Sequence, residues 1–245
     1  GHAALATQSR DGSNNTAIGY NALTNLLATS TGPDVFGGIR NTAVGYQAGG
    51  SGAFGGGSDG HGNDNTIVGQ NAGYSITTGA ANIIMGSFAG DALTAGGSNV
   101  LIGKHAGGTL TIGAQNIVIG DGALDAANTG TAKNNNVAIG TNALTGQTAD
   151  VSYCIAIGHN ALYAQDADVK NTAIGGLAGD AIEDGDQNTL VGYLAGSAIS
   201  DGDANTAIGH GAYGSGTGSA NVAIGSYAIQ GAAASGNDNV VVGYN

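Results

Sequence analysis

The sequence predicts an all-β protein built from stacked parallel coils, a β-roll or β-solenoid of about 13 rungs. Three observations carry this. Forty-eight of the 245 residues are glycine, only 9% are charged, and a short motif ending in an aliphatic residue and glycine recurs thirteen times. Globular chains average roughly 7% glycine and 25% charged residues, so an ordinary helical globule is excluded. An apolar share of 41% and a mean hydropathy of +0.04 exclude a disordered chain. One proline, without glycine at every third position, excludes collagen.

The motif glycines are Gly19, Gly45, Gly69, Gly86, Gly103, Gly120, Gly140, Gly158, Gly175, Gly192, Gly209, Gly225 and Gly243, and most are close to 17 residues apart. Helical repeats need about 33 residues or more. Four positions before the glycine stands asparagine, from Asn15 to Asn239, with Cys154 as the one exception, and three positions after it stands alanine, from Ala22 to Ala228. Stacked asparagines would form a ladder of amides along one corner, and the glycine would allow a bend that a Cβ blocks.

Read with a period of two, Thr16 shares a face with Ile18, and Ala17 takes the other. Both faces are apolar, so the strand should be covered twice, by its own coil and by something outside. We expect the column from Ile18 to Val242 to line the interior. The alternate set, with Ile67, Ile84, Leu101, Val118, Leu190 and Val241, would then meet a partner chain. Each coil is expected to hold two short strands and two turns.

Residues 1–245 read as one repeat domain with insertions at 24–40 and 50–63 that leave the rod as loops. They contain Leu26, Leu27, Pro33, Val35, Phe36, Phe54 and His61. Such aromatics either recognise a ligand or cap the roll. Gly1-His2-Ala3-Ala4 has neither an initiator methionine nor a signal-peptide pattern, and Gly1-His2 reads as a tag remnant on a fragment of a longer fibre. The chain ends at Gly243-Tyr244-Asn245 before the expected alanine, so the array is expected to continue or to be completed by a neighbour.

Five basic against seventeen acidic residues give a net charge of −12, which repels nucleic acid and anionic membranes. No run approaches the roughly 18 apolar residues of a spanning helix. No catalytic, cofactor or metal residue is predicted. Gly103-Lys104-His105 lacks the serine or threonine of a phosphate loop, and the runs Gly55-Gly56-Gly57 and Gly214–Gly218 open no helix. His159 and His210 share a slot but lie three rungs apart, roughly 14 Å. Cys154 takes an asparagine's place and reads as a buried spacer. Asp184, Asp186, Asp201 and Asp203, with Asp180 and Glu183 nearby, stack at one turn, either as solvated turn residues or around a hard cation such as Ca²⁺.

Asn15-Thr16-Ala17-Ile18-Gly19, Asn171-Thr172-Ala173-Ile174-Gly175 and Asn221-Val222-Ala223-Ile224-Gly225 resemble the head repeat of the YadA-like trimeric autotransporter adhesins, similar to repeats of phage tail fibres. The resemblance covers nearly the whole chain. It implies a left-handed parallel β-roll in which three chains pack side by side as a homotrimeric fibre. The function it implies is non-enzymatic and extracellular: attachment to a cell-surface receptor or glycan, without membrane insertion by these residues. A phage-like tail fibre is preferred, and an outer-membrane adhesin head is the alternative. A third reading is an ice- or surface-binding solenoid, against which we set the threonine slot: Thr16, Thr42, Thr66, Thr172, Thr189 and Thr206 alternate with Ile83, Val100, Ile117, Val137 and Ile155, as expected of an inward or mixed position.

Overall fold

The computed structural model describes residues 4, 5, 7, 8, 14–26, 38–50, 62–125, 133–146, 151–166, 170–214, 216–230 and 236–245. The chain is an all-β parallel β-solenoid, with no helix among the described residues. It divides into two compact units, one of Gly1–Gly122 with Gly130–Lys133 and one of Ala123–Thr129 with Asn134–Asn245.

In the first unit, β1 (Thr7–Gln8) pairs in parallel with β3 (Asn25–Leu26). A second ladder runs through β2 (Thr16–Ile18), β4 (Thr42–Val44), β5 (Thr66–Val68), β6 (Ile83–Met85), β7 (Val100–Ile102) and β8 (Ile117–Ile119), each strand parallel and in register with the next. The second unit repeats the arrangement in β9 (Val137–Ile139), β10 (Ile155–Ile157), β11 (Thr172–Ile174), β12 (Thr189–Val191), β13 (Thr206–Ile208), β14 (Val222–Ile224) and β15 (Val240–Val242). Each regular coil holds one three-residue strand where two were expected. The rest of the coil is turn, held by bonds to its neighbours such as Gly73 N–H to the Ala89 carbonyl and Thr94 N–H to the Thr111 carbonyl.

The expected sides of the strand are exchanged. The middle residues, Ala43, Ile67, Ile84, Leu101 and Val118 in one unit and Ala138, Ala156, Ala173, Leu190, Ala207 and Ala223 in the other, are fully buried. The column expected inside faces out: Ile18 is 58% exposed and Met85 41%. Alternation tells which residues share a face, but not which face is inside; the volume of the coil decides that. Where the middle residue is isoleucine or leucine, the residue six positions on is glycine: Ile67 with Gly73, Ile84 with Gly90, Leu101 with Gly107 and Leu190 with Gly196. Ala17, Ala138, Ala156 and Ala207 are followed at that position by Leu23, Leu144, Leu162 and Tyr213, all buried, whereas Ala43 and Ala173 have Gly49 and Gly179 there and Val118 has the buried Leu124. A Cβ at Gly107 would press on Leu101, and one at Gly179, opposite the small Ala173, on Leu162, Ile182 and Leu190. Outside the coils of Ala43, Val118 and Ala173, the two walls exchange volume across a narrow interior.

The asparagine corner forms as expected. The Asn82 Oδ1 accepts from both the backbone N–H and the Nδ2 of Asn99 at 3.0 Å, while the Asn82 Nδ2 donates to the Gly96 carbonyl at 3.0 Å. Asn65 and Asn99 repeat the pattern. These side chains are buried and fully bonded, the condition under which a polar core residue stabilises. The strand-end glycines, such as Gly86 at φ +136°, serve a backbone approach: a Cβ there would collide with the carbonyl of Gly103 on the next rung.

Gly1-His2, read as a tag remnant, lies outside the described residues, but Leu5 already belongs to the coil. Leu5 N–H donates to the Ala22 carbonyl at 3.1 Å, as Leu23 N–H does to the Ala48 carbonyl at 3.1 Å, and both leucines have left-handed backbone, φ 52° and 47°. Leu5 lies 18 residues before Leu23 in the sequence.

Candidate interaction faces

The outward strand face is chemically uniform. In all thirteen ladder strands its two positions carry only Thr, Ile, Val or Met, with no charge, in a chain of net charge −12. These residues are β-branched almost throughout, which suits a pleated surface. Contiguous half-exposed aliphatic surface of this kind marks an interaction site. In the first unit β2, β4 and β5 begin with threonine and β6, β7 and β8 with isoleucine or valine. In the second, β11, β12 and β13 begin with threonine. The threonine slot expected to be inward or mixed therefore faces out, half-exposed or more.

A second column lies just past the bend. Tyr20 and Tyr46 stack with ring centroids 5.3 Å apart, and Tyr193 stacks on His210 at 5.5 Å, with Tyr227 edge-on to His210 at 4.8 Å. His105 stacks on Phe88 at 5.3 Å. His159 is exposed on its own rung. None of these histidines joins a metal-ligand cluster among the described residues.

The acidic turn resolves into capping. The Asp186 Oδ1 accepts from Lys170 N–H at 3.0 Å, and the Asp203 Oδ1 from Asp186 N–H at 2.8 Å. Ser219 and Asn237 continue the column, accepting from Asp203 and Ser219 N–H. Asp201 accepts from Ser200 Oγ, and Asp184 is exposed. Asp186 and Asp203 are turned to backbone N–H groups of neighbouring rungs, and no group of three or more metal-ligating side chains exists among the described residues. The N–H of Lys170, with Gln187, holds the Asp186 carboxyl below its ordinary pKa. Burial raises those of Asp91 and Asp180, and the Asp180 Oδ1 has no hydrogen-bond partner among the described residues.

Cys154 is buried, as its spacer role requires. Its N–H donates to the Asn136 Oδ1 at 3.0 Å, but its side chain cannot continue the ladder. Gln165 bridges the gap: its Nε2 donates to the Cys154 Sγ at 3.1 Å, and its Oε1 accepts from the Asn171 Nδ2 at 3.3 Å. Neighbouring coils place Ile76, Leu93, Leu110, Ile182 or Ile199 at the same position, all buried, so the polar outlier marked the compensation in the sequence. Tyr213 plays a comparable part. Its hydroxyl donates to the Gly218 carbonyl at 3.0 Å and accepts from the Asn221 Nδ2 at 2.9 Å, and burial raises its pKa.

Leu26, at the start of the first insertion, is buried against the coil. Leu27, Pro33, Val35, Phe36, Phe54 and His61 lie outside the described residues, as does Gly55-Gly56-Gly57. Comparison with family models, with curated proteins and with solved structures gave no match.

Proposed function

We infer that this chain is a non-enzymatic segment of an extracellular fibre that assembles laterally with copies of itself and attaches to a cell surface. The observation that carries the reading is the outward strand face, charge-free along the whole of both ladders. Its occupant must be as apolar and must repeat at the same rung spacing of about 4.8 Å. A second copy of the chain meets both demands along its full length. The resemblance to YadA-like heads supports three chains, a left-handed coil and thirteen rungs in one array. It supports attachment as the task, because a threefold fibre presents every loop three times and weak contacts add through effective concentration. A phage-like tail fibre is the preferred context and an outer-membrane adhesin head the alternative. The receptor is a surface protein or glycan, met chiefly by the insertions 24–40 and 50–63, which stacking does not constrain.

Sedimentation equilibrium tests the assembly: a mass of three chains is expected, and a stable monomer at micromolar concentration overturns it. Ile119→Asp should release monomers that keep their β signal. For attachment, chains whose insertions are cut back to the regular spacing should keep the assembly and lose binding to host cells. Undiminished binding places recognition elsewhere.

A second reading, a solenoid that binds ice or another regular surface, gains from one observation. The six outward threonines Thr16, Thr42, Thr66, Thr172, Thr189 and Thr206 stand in register within each unit, and their hydroxyls bond to no described residue. Thermal hysteresis by the isolated chain would favour this reading.

A further inference from the structure

A gap one ring wide interrupts the column past the bend in the second unit, and we propose that it takes a neutral pyranose of a glycan, held between His159 and Tyr193 over Gly176. The site lies apart from both the insertions and the outward strand face, and it rests on neither the attachment reading nor the lateral assembly.

The residues that follow the strand-end glycines form the column. The register of β10, β11 and β12 carries past the bend: Leu177 N–H donates to the His159 carbonyl at 2.9 Å, Leu194 N–H to the Gly176 carbonyl at 3.0 Å, and Gly211 N–H to the Tyr193 carbonyl at 2.8 Å. His159, Gly176, Tyr193 and His210 are therefore successive members. Where two successive members are aromatic their rings stack, Tyr20 on Tyr46 at 5.3 Å and Tyr193 on His210 at 5.5 Å. From Tyr20 to Tyr244, Gly176 is the one member without a side chain.

The backbone does not ask for this glycine. Gly175 beside it has φ +145°, and a Cβ there would collide with the Gly192 carbonyl. Gly176 has no positive φ. A Cβ on it would meet only the Tyr193 ring, Cδ2 at 3.4 Å and Cε2 at 3.6 Å, and the His159 carbonyl at 4.0 Å, which is ordinary van der Waals contact. Two rungs earlier the same position carries Thr141. What the glycine does is leave uncovered the side of Tyr193 opposite His210. Tyr193 is 50% exposed, and His159 is exposed as well.

The dimensions suit one inserted ring. His159 and Tyr193 stand two rungs apart, about 9.6 Å. A ring midway lies about 4.8 Å from each, within the roughly 4.5–7 Å at which rings stack. The walls then select its chemistry, because each offers an apolar face with a polar group at its rim, the tyrosine O–H and the imidazole nitrogens. A pyranose has C–H groups on its faces and hydroxyls around its edge, so it serves both. An aromatic side chain serves the faces alone. A net charge of −12 disfavours acidic sugars and nucleotides, which leaves a neutral sugar.

The probes are cellobiose, lactose, mannobiose and chitobiose, titrated against the full chain to about 10 mM, above the millimolar Kd of a weak contact. Saturation-transfer NMR and calorimetry should show binding of at least one. Gly176→Thr, which fills the gap as Thr141 does on its own rung, should weaken it at least tenfold, as should Tyr193→Ala. Circular dichroism and the mass at sedimentation equilibrium should not change. His159→Ala removes the other wall and carries the test if Gly176→Thr misfolds. Tyr46→Ala, in the same column of the first unit, should leave binding unchanged. Chains with both insertions cut back should bind the sugar as the full chain does, so loss of cell attachment by those chains is a separate result. The proposal is overturned if none of the four sugars binds, if Gly176→Thr binds undiminished, or if Tyr46→Ala loses as much. A lower mass for Gly176→Thr also overturns it, by placing a neighbouring copy in the gap. Tighter binding of N-acetyltyrosine amide than of every sugar, lost in Gly176→Thr, overturns it in favour of a protein side chain.

Discussion

Ile84 and Met85 are adjacent aliphatic residues on one strand, yet Ile84 is fully buried in the coil and Met85 is 41% exposed outside it. The contrast holds along both ladders and shows that two apolar faces need not have equal duties. The inner face is set by fit. It carries alanine, isoleucine, leucine or valine, in most coils according to what the opposite wall offers. The outer face is set by uniformity, and its residue types barely change from rung to rung. A core must fill a volume, whereas a repeating contact surface must match another of the same period.

The sharpest way to break the comparison is one charge on either side. Ile84→Asp buries a carboxylate with no partner, at a cost of several kcal/mol, and should abolish the cooperative β transition. Met85→Asp should leave that transition in the chain nearly unchanged, within roughly 0.5 kcal/mol as for most surface positions, while reducing the mass in solution. Equal loss of melting temperature for both variants in the monomeric state would remove the distinction between the faces.

Next comes the exchange of volume across the interior. Leu101→Ala should cost about 2–5 kcal/mol through the cavity it leaves. Gly107→Leu should cost about 1–3 kcal/mol through overpacking against Leu101. Together they recreate the Ala138–Leu144 arrangement, in which Leu144 holds the left-handed conformation at φ 56° that Gly107 holds at φ 58°. The double variant should therefore recover most of the loss, and denaturant melts of the four proteins give the coupling directly. Strictly additive losses would mean that the pairing of large residues with glycine is incidental.

The repeat, the parallel stacking and the asparagine ladder were legible in the sequence because each depends on one residue type recurring at one interval. Which side of the strand is inside was not. That depends on two positions six residues apart, and the signal was the trade between Ala17 with Leu23 and Leu101 with Gly107, which a residue-by-residue hydrophobicity reading passes over. The acidic turn was legible as a stack but not in its purpose, since spacing brings Asp186 and Asp203 together without showing that each accepts a backbone N–H from the rung before it. Leu5 was missed because it stands apart from the asparagine, strand and glycine signature by which the other copies are recognised.

A smaller effect tests the corner against the interior. Asn99→Ala removes the acceptor for the Asn116 backbone N–H and Nδ2 and the donor to the Gly113 carbonyl. Leaving such buried groups unpaired costs about 1–3 kcal/mol. Asn99→Asp should do no better, because a carboxylate has no N–H for Gly113. A loss below about 0.5 kcal/mol in a chemical melt, the level of a neutral surface change, would show that water replaces the ladder.

The smallest expected effect contrasts two aspartates of the second unit by pH. Backbone and side-chain donors lower the folded pKa of Asp186, so its stabilisation is present above the unfolded value, near 3.9, and is lost as pH falls through the folded one. Burial raises the folded pKa of Asp180, so the fold favours its proton, and stability declines as pH rises from the unfolded value through the raised one. Asp186→Asn should therefore lower stability at pH 7, and Asp180→Asn should raise it. Each change should be less than about 1 kcal/mol, because both groups retain contact with water. Both differences should shrink toward pH 3, where the wild-type carboxyls take up protons. Thermal melts of the two variants beside wild type at the two pH values measure this directly. The same sign for both at pH 7 would mean that the capping bonds of Asp186 and the burial of Asp180 do not govern their charges.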